Sequence, residues 1–264
     1  MSQRAENAFR LELYGELNDI VSAMKNLAQV ELHRVAKAES FQQAAFSTTL
    51  GALAALQFHH PAIRPSQQGH RVWVLLGSER GFCGGFNEQV AREFSTVAEP
   101  ADAVLVVGGR LANKIDAGAN MQFFTGPSTA DEVLPCLQQM LDYLFQFPLP
   151  SQLTLLHHDG QGVERLPLLP NPTLPQVAPL SSLQLNLPPA DLCSELHWQC
   201  LQQGLLLYLL VSLKTENRMR LQQMEGAREH LEELSRNLKL RINALRQQEI
   251  VEEIEVILSL TGPE

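Results

Sequence analysis

With 264 residues the chain can form one good-sized core, or one domain carrying a long helical extension. A formal charge of −9 excludes a basic, non-specific nucleic-acid binder and gives no attraction to anionic lipid, so any basic function has to be local. Cys83, Cys136, Cys193 and Cys200 form no C-x-x-C pair, which fits a reduced intracellular chain better than a disulfide framework or a structural zinc site.

The opening Met-Ser-Gln-Arg-Ala-Glu has no apolar run of the signal-peptide kind, so secretion is not expected. From Arg4 to about Phe58 there is no proline, and only two glycines occur. Leu13, Leu17, Ile20, Met24 and Leu27 alternate four and three apart, the spacing of coiled-coil core positions, and predict a long helix with an apolar seam. The seam weakens at Glu31 and Arg34 before Val35 and Ala38 continue it. His59-His60-Pro61 ends the element, because proline lacks the next helical donor and restricts the residue before it.

The middle has a different texture. Val72 to Leu76 is a continuously apolar run followed by a glycine-rich turn and a helical stretch from about Glu88 to Val97. Ala103 to Val107, a helix signal near Ala130 to Phe147 and a further apolar run from Leu153 to Leu156 follow. Strand, helix, strand, helix, strand predicts a parallel sheet with helices on its faces. Leu166 to Pro189 is rich in proline and leucine, which allows short edge strands or an extended connection but not a helix. Leu205 to Val211 is the most hydrophobic segment; it falls short of the roughly 20 residues that span a bilayer and reads as buried helix.

The last run, Lys214 to Gly262, carries Met224, Leu231, Leu238 and Leu245 at seven-residue spacing, with Ala227 and Leu234 between them. Two seams at the two ends of one chain are most simply buried against each other, as an antiparallel coiled coil. The fold class is therefore α/β: a long antiparallel coiled coil of the N- and C-terminal helices plus a Rossmann-like parallel α/β domain. The expected division is 1–60 for the N-terminal helix, 70–190 for the α/β domain with its proline-rich return, and 191–262 for the C-terminal helix.

Among candidate chemical features, Ser78-Glu79-Arg80-Gly81-Phe82-Cys83-Gly84-Gly85-Phe86-Asn87 is the most unusual. Glycines between a strand and a helix can cradle a phosphate. The spacing is neither G-x-G-x-x-G nor G-x-x-x-x-G-K-[ST], however, which favours a structural turn over nucleotide binding. Cys83 has no His or Asp placed by sequence to activate it and reads as a small packed residue. His59-His60 and His157-His158 lack chelating helical spacing, and loop histidines are the simpler reading. Glu232, Glu233, Glu249, Glu252, Glu253 and Glu255 are interleaved with Arg228, Arg236, Lys239, Arg241 and Arg246, first of all the solvated face of a coiled coil.

Three segments, in order, resemble the gamma subunit of F-type ATP synthases. Ile20 to Ala28 (I-V-S-A-M-K-N-L-A) is similar to that family's I-T-x-A-M-K-M-V-A, and Ser78 to Asn87 to its S-D-R-G-L-C-G-G-F-N. Asn243 to Ile254 is similar to its N-K-A-R-Q-x-x-I-T-x-E-L. The resemblance implies a non-catalytic central-stalk rotor that holds no nucleotide, cofactor or metal of its own. It would couple ion translocation through the membrane ring to ATP synthesis or hydrolysis. Its implied partners are the alpha and beta subunits of the catalytic ring, epsilon and the ring of c subunits, on the cytoplasmic side of a bacterial cell membrane. By the same resemblance Arg246 and Gln247 would hydrogen-bond a loop of a catalytic subunit, and Met24 and Lys25 would contact a beta subunit's acidic region. Asn243 and Glu253 would lie on the gripped surface, and Arg80 where the α/β domain meets the lower shaft. Val21 for Thr, Glu79 for Asp and Ile242 for Tyr depart from the pattern, and leave open the standard complex or an alternate, N-type ATPase. A coiled-coil adaptor and a doubly wound enzyme with helical extensions are the rival readings.

Overall fold

The computed structural model of the protein describes residues 3–61, 63, 70–97, 99, 102–116, 118–170 and 184–260, the side chains of 258–260 excepted. The elements are α1 (Gln3–His59), β1 (Arg71–Leu76), α2 (Phe86–Ser95), β2 (Ala103–Val107), α3 (Gly109–Ala112), β3 (Met121–Phe124), α4 (Val133–Leu144), β4 (Gln152–His158), β5 (Val163–Leu169) and α5 (Pro189–Leu260). Both terminal helices are as long as the absence of proline predicts. Pro172, Pro175 and Pro179 of the expected proline-rich return lie outside the described residues, as does Gly262. Two compact units divide the chain, Met1–Leu27 with Leu221–Glu264, and Ala28–Arg220. Both dividing points fall inside helices, whereas the division expected from sequence follows the elements.

The larger unit holds a five-stranded sheet in the order β3-β2-β1-β4-β5. β1 pairs in parallel with β2 and β4, Val74 lying opposite both Leu105 and Leu155, and β2 pairs in parallel with β3. β5 closes the edge in antiparallel pairing with β4 and carries Pro167, which an edge strand accepts because a missing N–H there costs no ladder bond.

Alternation along each strand then decides what each face buries. Val74, Leu76, Leu105, Val107, Leu153 and Leu155 pack with Met140 and Leu141 of α4, Leu201, Leu205 and Leu209 of α5, and Val35 and Phe46 of α1. Leu75, Val104, Val106 and Leu156 face the other way, onto Val90 and Phe94 of α2 and Leu111 of α3. A sheet covered on both faces explains why its inner strands read as unbroken apolar runs. The apolar segment from Leu205 is buried helix, as expected, with Leu205, Leu207, Leu209 and Leu213 enclosed. No described helix is long and apolar enough to cross a membrane.

Within this unit α1 and α5 also pack on each other. Leu53 and Leu56 meet Cys193 and Cys200, the Gln42 amide donates to the Gln203 carbonyl at 3.0 Å, and Lys214 bonds Glu39 at 2.6 Å. His157 and His158 lie on β4 rather than in a loop, and both are buried. They point to opposite faces, as adjacent strand residues must: His157 packs against Tyr208, with ring centroids 5.0 Å apart, and His158 stacks on Phe86 at 5.3 Å.

Candidate shaft surface and its anchoring turn

In the smaller unit the first turns of α1 run antiparallel to the last turns of α5. Arg4 bonds Glu249 at 2.7 Å, and Lys25 bonds Glu225 at 2.9 Å. On α5 the buried or half-buried positions are Leu221, Met224, Arg228, Leu231, Ser235, Leu238, Ile242, Leu245 and Glu249, with Ala227 and Leu234 beside them. This is the heptad seam expected from Met224, Leu231, Leu238 and Leu245.

On α1 the expected seam is wrong by one position. From Asn7 to Lys25 the covered residues are Asn7, Leu11, Tyr14, Asn18, Val21, Ser22, Met24 and Lys25, while Leu13 is 42% exposed, Leu17 39%, Ile20 56% and Leu27 64%. Met24 is half-buried, and Leu27 does not face the α5 leucines. One residue is about 100° of helix rotation, so a one-residue offset turns the apolar stripe from the seam to the surface. The reason lies in composition: Asn7, Asn18, Ser22 and Lys25 are polar, four of the eight covered positions, and polar residues at core positions set register at a cost in stability. A signal was present. The four-three spacing extends without a break from Asn7 through Lys25 to Ala28, Leu32 and Val35, whereas the outward stripe fails at Glu31 and Arg34.

With Phe9, 66% exposed, the outward residues make an exposed apolar stripe along α1. A stripe of mixed polar and apolar residues lies on α5, where Asn243, Arg246, Ile250 and Glu253 are exposed at three-four spacing and Gln247 and Ile254 flank them. Stripes of this kind, polar groups set among large apolar ones, mark a surface that another protein covers. The smaller unit thus holds Met24, Lys25, Asn243, Arg246, Gln247 and Glu253, with Lys25 partly covered and already paired, while Arg80 is exposed in the larger unit. Leu13, Leu17, Ile20 and Leu27, which the four-three spacing places in the seam, lie on the surface, and Phe9 joins them there.

The glycine motif is a structural turn. Ser78 is enclosed: its N–H donates to the Asn87 side-chain oxygen at 2.9 Å, and Asn87 Nδ2 donates to Ser78 Oγ at 2.8 Å. Cys83 Sγ lies 3.2 Å from the same hydroxyl, and burial pushes its thiol pKa up, so it is a packed residue rather than a thiolate. The Glu79 carboxylate accepts the N–H groups of Gly109 at 2.8 Å and Gly126 at 2.9 Å, occupying with a side chain the place at the strand ends where a doubly wound sheet can present backbone donors to a ligand. Close approach depends on Gly108, whose φ is +103° and where an added Cβ would lie 2.7 Å from Gly77 backbone. Phe82 sits in the left-handed region at φ +62° and is 65% exposed, so the turn holds an aromatic side chain outward in a conformation non-glycine residues rarely take. Among the described residues no three His, Cys, Asp or Glu side chains come together as a metal site.

The family model described as ATP synthase matches residues 6–260, and the chain belongs to that family, as a gamma-type chain. The ATP synthase gamma chain of Mycoplasmoides gallisepticum is 22% identical, with 95% of this chain and 96% of that one covered. The gamma chain of Clostridium novyi (strain NT) is 25% identical over 71% of this chain and 70% of its own length. Among solved structures, a chain from the Euglena gracilis mitochondrial ATP synthase rotor in rotational state 1 matches with a TM-score of 0.61, 14% identity, and coverage of 94% and 98%. A chain from the central stalk and c-ring structure of the Tetrahymena thermophila mitochondrial ATP synthase gives 0.56 with 15% identity, covering 79% of this chain and 99% of that one. At these identities the structural likeness establishes the fold.

Proposed function

We propose that this chain is the central-stalk rotor of a rotary ATP synthase, coupling ion movement through a membrane ring to ATP synthesis or hydrolysis in an alpha/beta ring. The observation that carries the reading is the pair of outward stripes on the coiled coil, an apolar one on α1 and a mixed one on α5, in a chain of the gamma family. A shaft seated in a ring of catalytic subunits needs a surface that is covered in the complex and that differs from side to side. Each angular position then has its own interaction free energy with the open and closed forms of a catalytic subunit, and that difference is all that coupling requires.

In this reading the chain performs no chemistry, and bond making occurs in the beta subunits. Arg246 and Gln247, exposed beside Ile250, hydrogen-bond a catalytic-subunit loop, with Asn243 and Glu253 on the same gripped face. Met24 and Lys25 meet an acidic segment of a beta subunit, Lys25 exchanging its Glu225 partner for the new carboxylate. Arg80 contacts neighbours at the foot, where epsilon and the c-ring belong. The location is peripheral, on the cytoplasmic face of a bacterial cell membrane, as the clostridial and mycoplasmal relatives suggest.

Co-purification of a tagged copy from its native membrane tests this. Alpha, beta, epsilon and c subunits should accompany it; recovery of the chain alone, or with proteins of another kind, would refute the reading.

A further inference from the structure

Between Ser212 and Arg220 the helix α5 is enclosed by polar contacts. Ser212, Thr215, Glu216, Asn217 and Arg220 are all buried, a run of polar side chains that no apolar seam would select. The Arg220 guanidinium uses its fork in three directions: Nε donates to the Gly81 carbonyl at 3.2 Å, Nη1 to the Asn217 side-chain oxygen at 3.0 Å, and Nη2 to the Glu216 carboxylate. Asn217 is in turn fixed by donating to the Leu213 carbonyl at 2.9 Å. The group that receives Arg220, Gly81, belongs to the turn that Glu79, Ser78 and Asn87 lock to the ends of β1 and β2. On its other side the same stretch is tied to α1 by Lys214 and Glu39.

Buried ion pairs are poor devices for stability, because desolvation cancels most of their attraction and a well-packed apolar pair often does better. What they supply is direction. Leucines packed on a sheet attract without regard to angle and tolerate small rotations or slides, whereas a guanidinium that Glu216 and Asn217 of the same helix hold in one orientation presents its Nε to the Gly81 carbonyl, and that directional bond ties α5 to the turn. We propose that Glu216, Asn217 and Arg220 are positioning residues that clamp α5 to the glycine turn of the α/β domain and form the joint through which torque passes between that domain and the helix. The proposal rests on the rotor reading given above and adds the place where a turning foot grips its shaft.

The test uses the assembled complex in sealed vesicles, measuring ATP hydrolysis and ATP-driven ion uptake side by side. Glu216→Leu with Arg220→Met replaces the clamp by apolar side chains of similar length. The expected chain melts at or above the wild-type temperature, and the complex hydrolyses ATP at about the wild-type rate, while ions moved per ATP fall several-fold. Arg220→Lys, which keeps the charge and loses the fork, should give an intermediate ratio, and it serves as the readout should the double variant fail to fold. A merely structural role predicts that ions per ATP stay at the wild-type value in any variant that folds, and that result overturns the clamp. Failure of the rotor reading looks different: the wild-type complex itself would then show no ion uptake dependent on this chain.

Discussion

The helix pair formed by α1 and α5 is built in two ways. In the larger unit Val35, Leu53, Leu56, Leu201 and Leu205 are essentially inaccessible, and the pair is one wall of a core that includes the sheet. In the smaller unit the seam admits Asn7, Asn18 and Lys25, Leu11, Tyr14, Gly15, Asn18 and Ser235 help line a groove of about 480 Å³, and the large apolar side chains of α1 face outward. The difference teaches that apolar side chains do two jobs in one helix. Where they are enclosed they stabilise this chain; where they are exposed they await a partner that supplies the missing burial.

Paired core and stripe substitutions can break that comparison. Leu201→Ala should cost about 2–5 kcal/mol in the isolated chain, by lost transfer and cavity terms, whereas Leu13→Ala should change stability by about 0.5 kcal/mol or less. Chemical unfolding of the two variants checks this, and equal losses would place Leu13 in a core. Gly108→Ala should cost about 1–3 kcal/mol because of its φ of +103° and its contact with Gly77, and a thermal melt reads it.

A third prediction concerns pH. Burial pushes the Glu216 carboxyl up to about 7 from an ordinary 4.5, with Arg220 opposing, Arg80 also lowering it and Glu79 raising it. A group whose folded-state value is raised gives stability that is fully present below about 4.5 and lost as pH rises through about 7. That contribution, on the order of 1–3 kcal/mol, should flatten in Glu216→Gln, as melting curves across this window will show. In the open unit, Arg246→Ala with Gln247→Ala should leave the melting temperature unchanged and slow ATP turnover of the assembled complex by about tenfold, the loss of a charge-assisted hydrogen bond or two. Smallest is Lys25→Leu, which should stabilise the isolated chain by about 1 kcal/mol by replacing a polar seam position.

Much of this was legible in the sequence. Continuous apolar runs gave β1, β2 and β4, and the α5 heptads gave its inner face correctly because leucine and methionine occupy it. β3 carries no strand signal because Met121-Gln122-Phe123-Phe124 is only four residues at a sheet edge, whereas β5 is an edge strand of the kind that the proline-rich stretch from Leu166 allows, beginning three residues earlier at Val163. The α1 seam was misplaced because periodicity records spacing, not which of two adjacent rows meets a partner. With Asn18 and Lys25 covered and Leu17 and Ile20 exposed beside them, hydrophobicity points to the row that the isolated chain leaves open. Arg246 and Gln247 carry no physical mark of function in the sequence beyond their family motif, since exposed charges on a coiled coil are ordinary.

Rotation itself is the most direct test of the shaft. Cys83, Cys136, Cys193 and Cys200 are all buried, so Gln139→Cys on the exposed side of α4 gives a selective attachment point for a bead in the intact complex. With the alpha/beta ring fixed to a surface, ATP should drive the bead around in one direction. A stationary bead on a complex that is hydrolysing ATP would contradict the rotor reading.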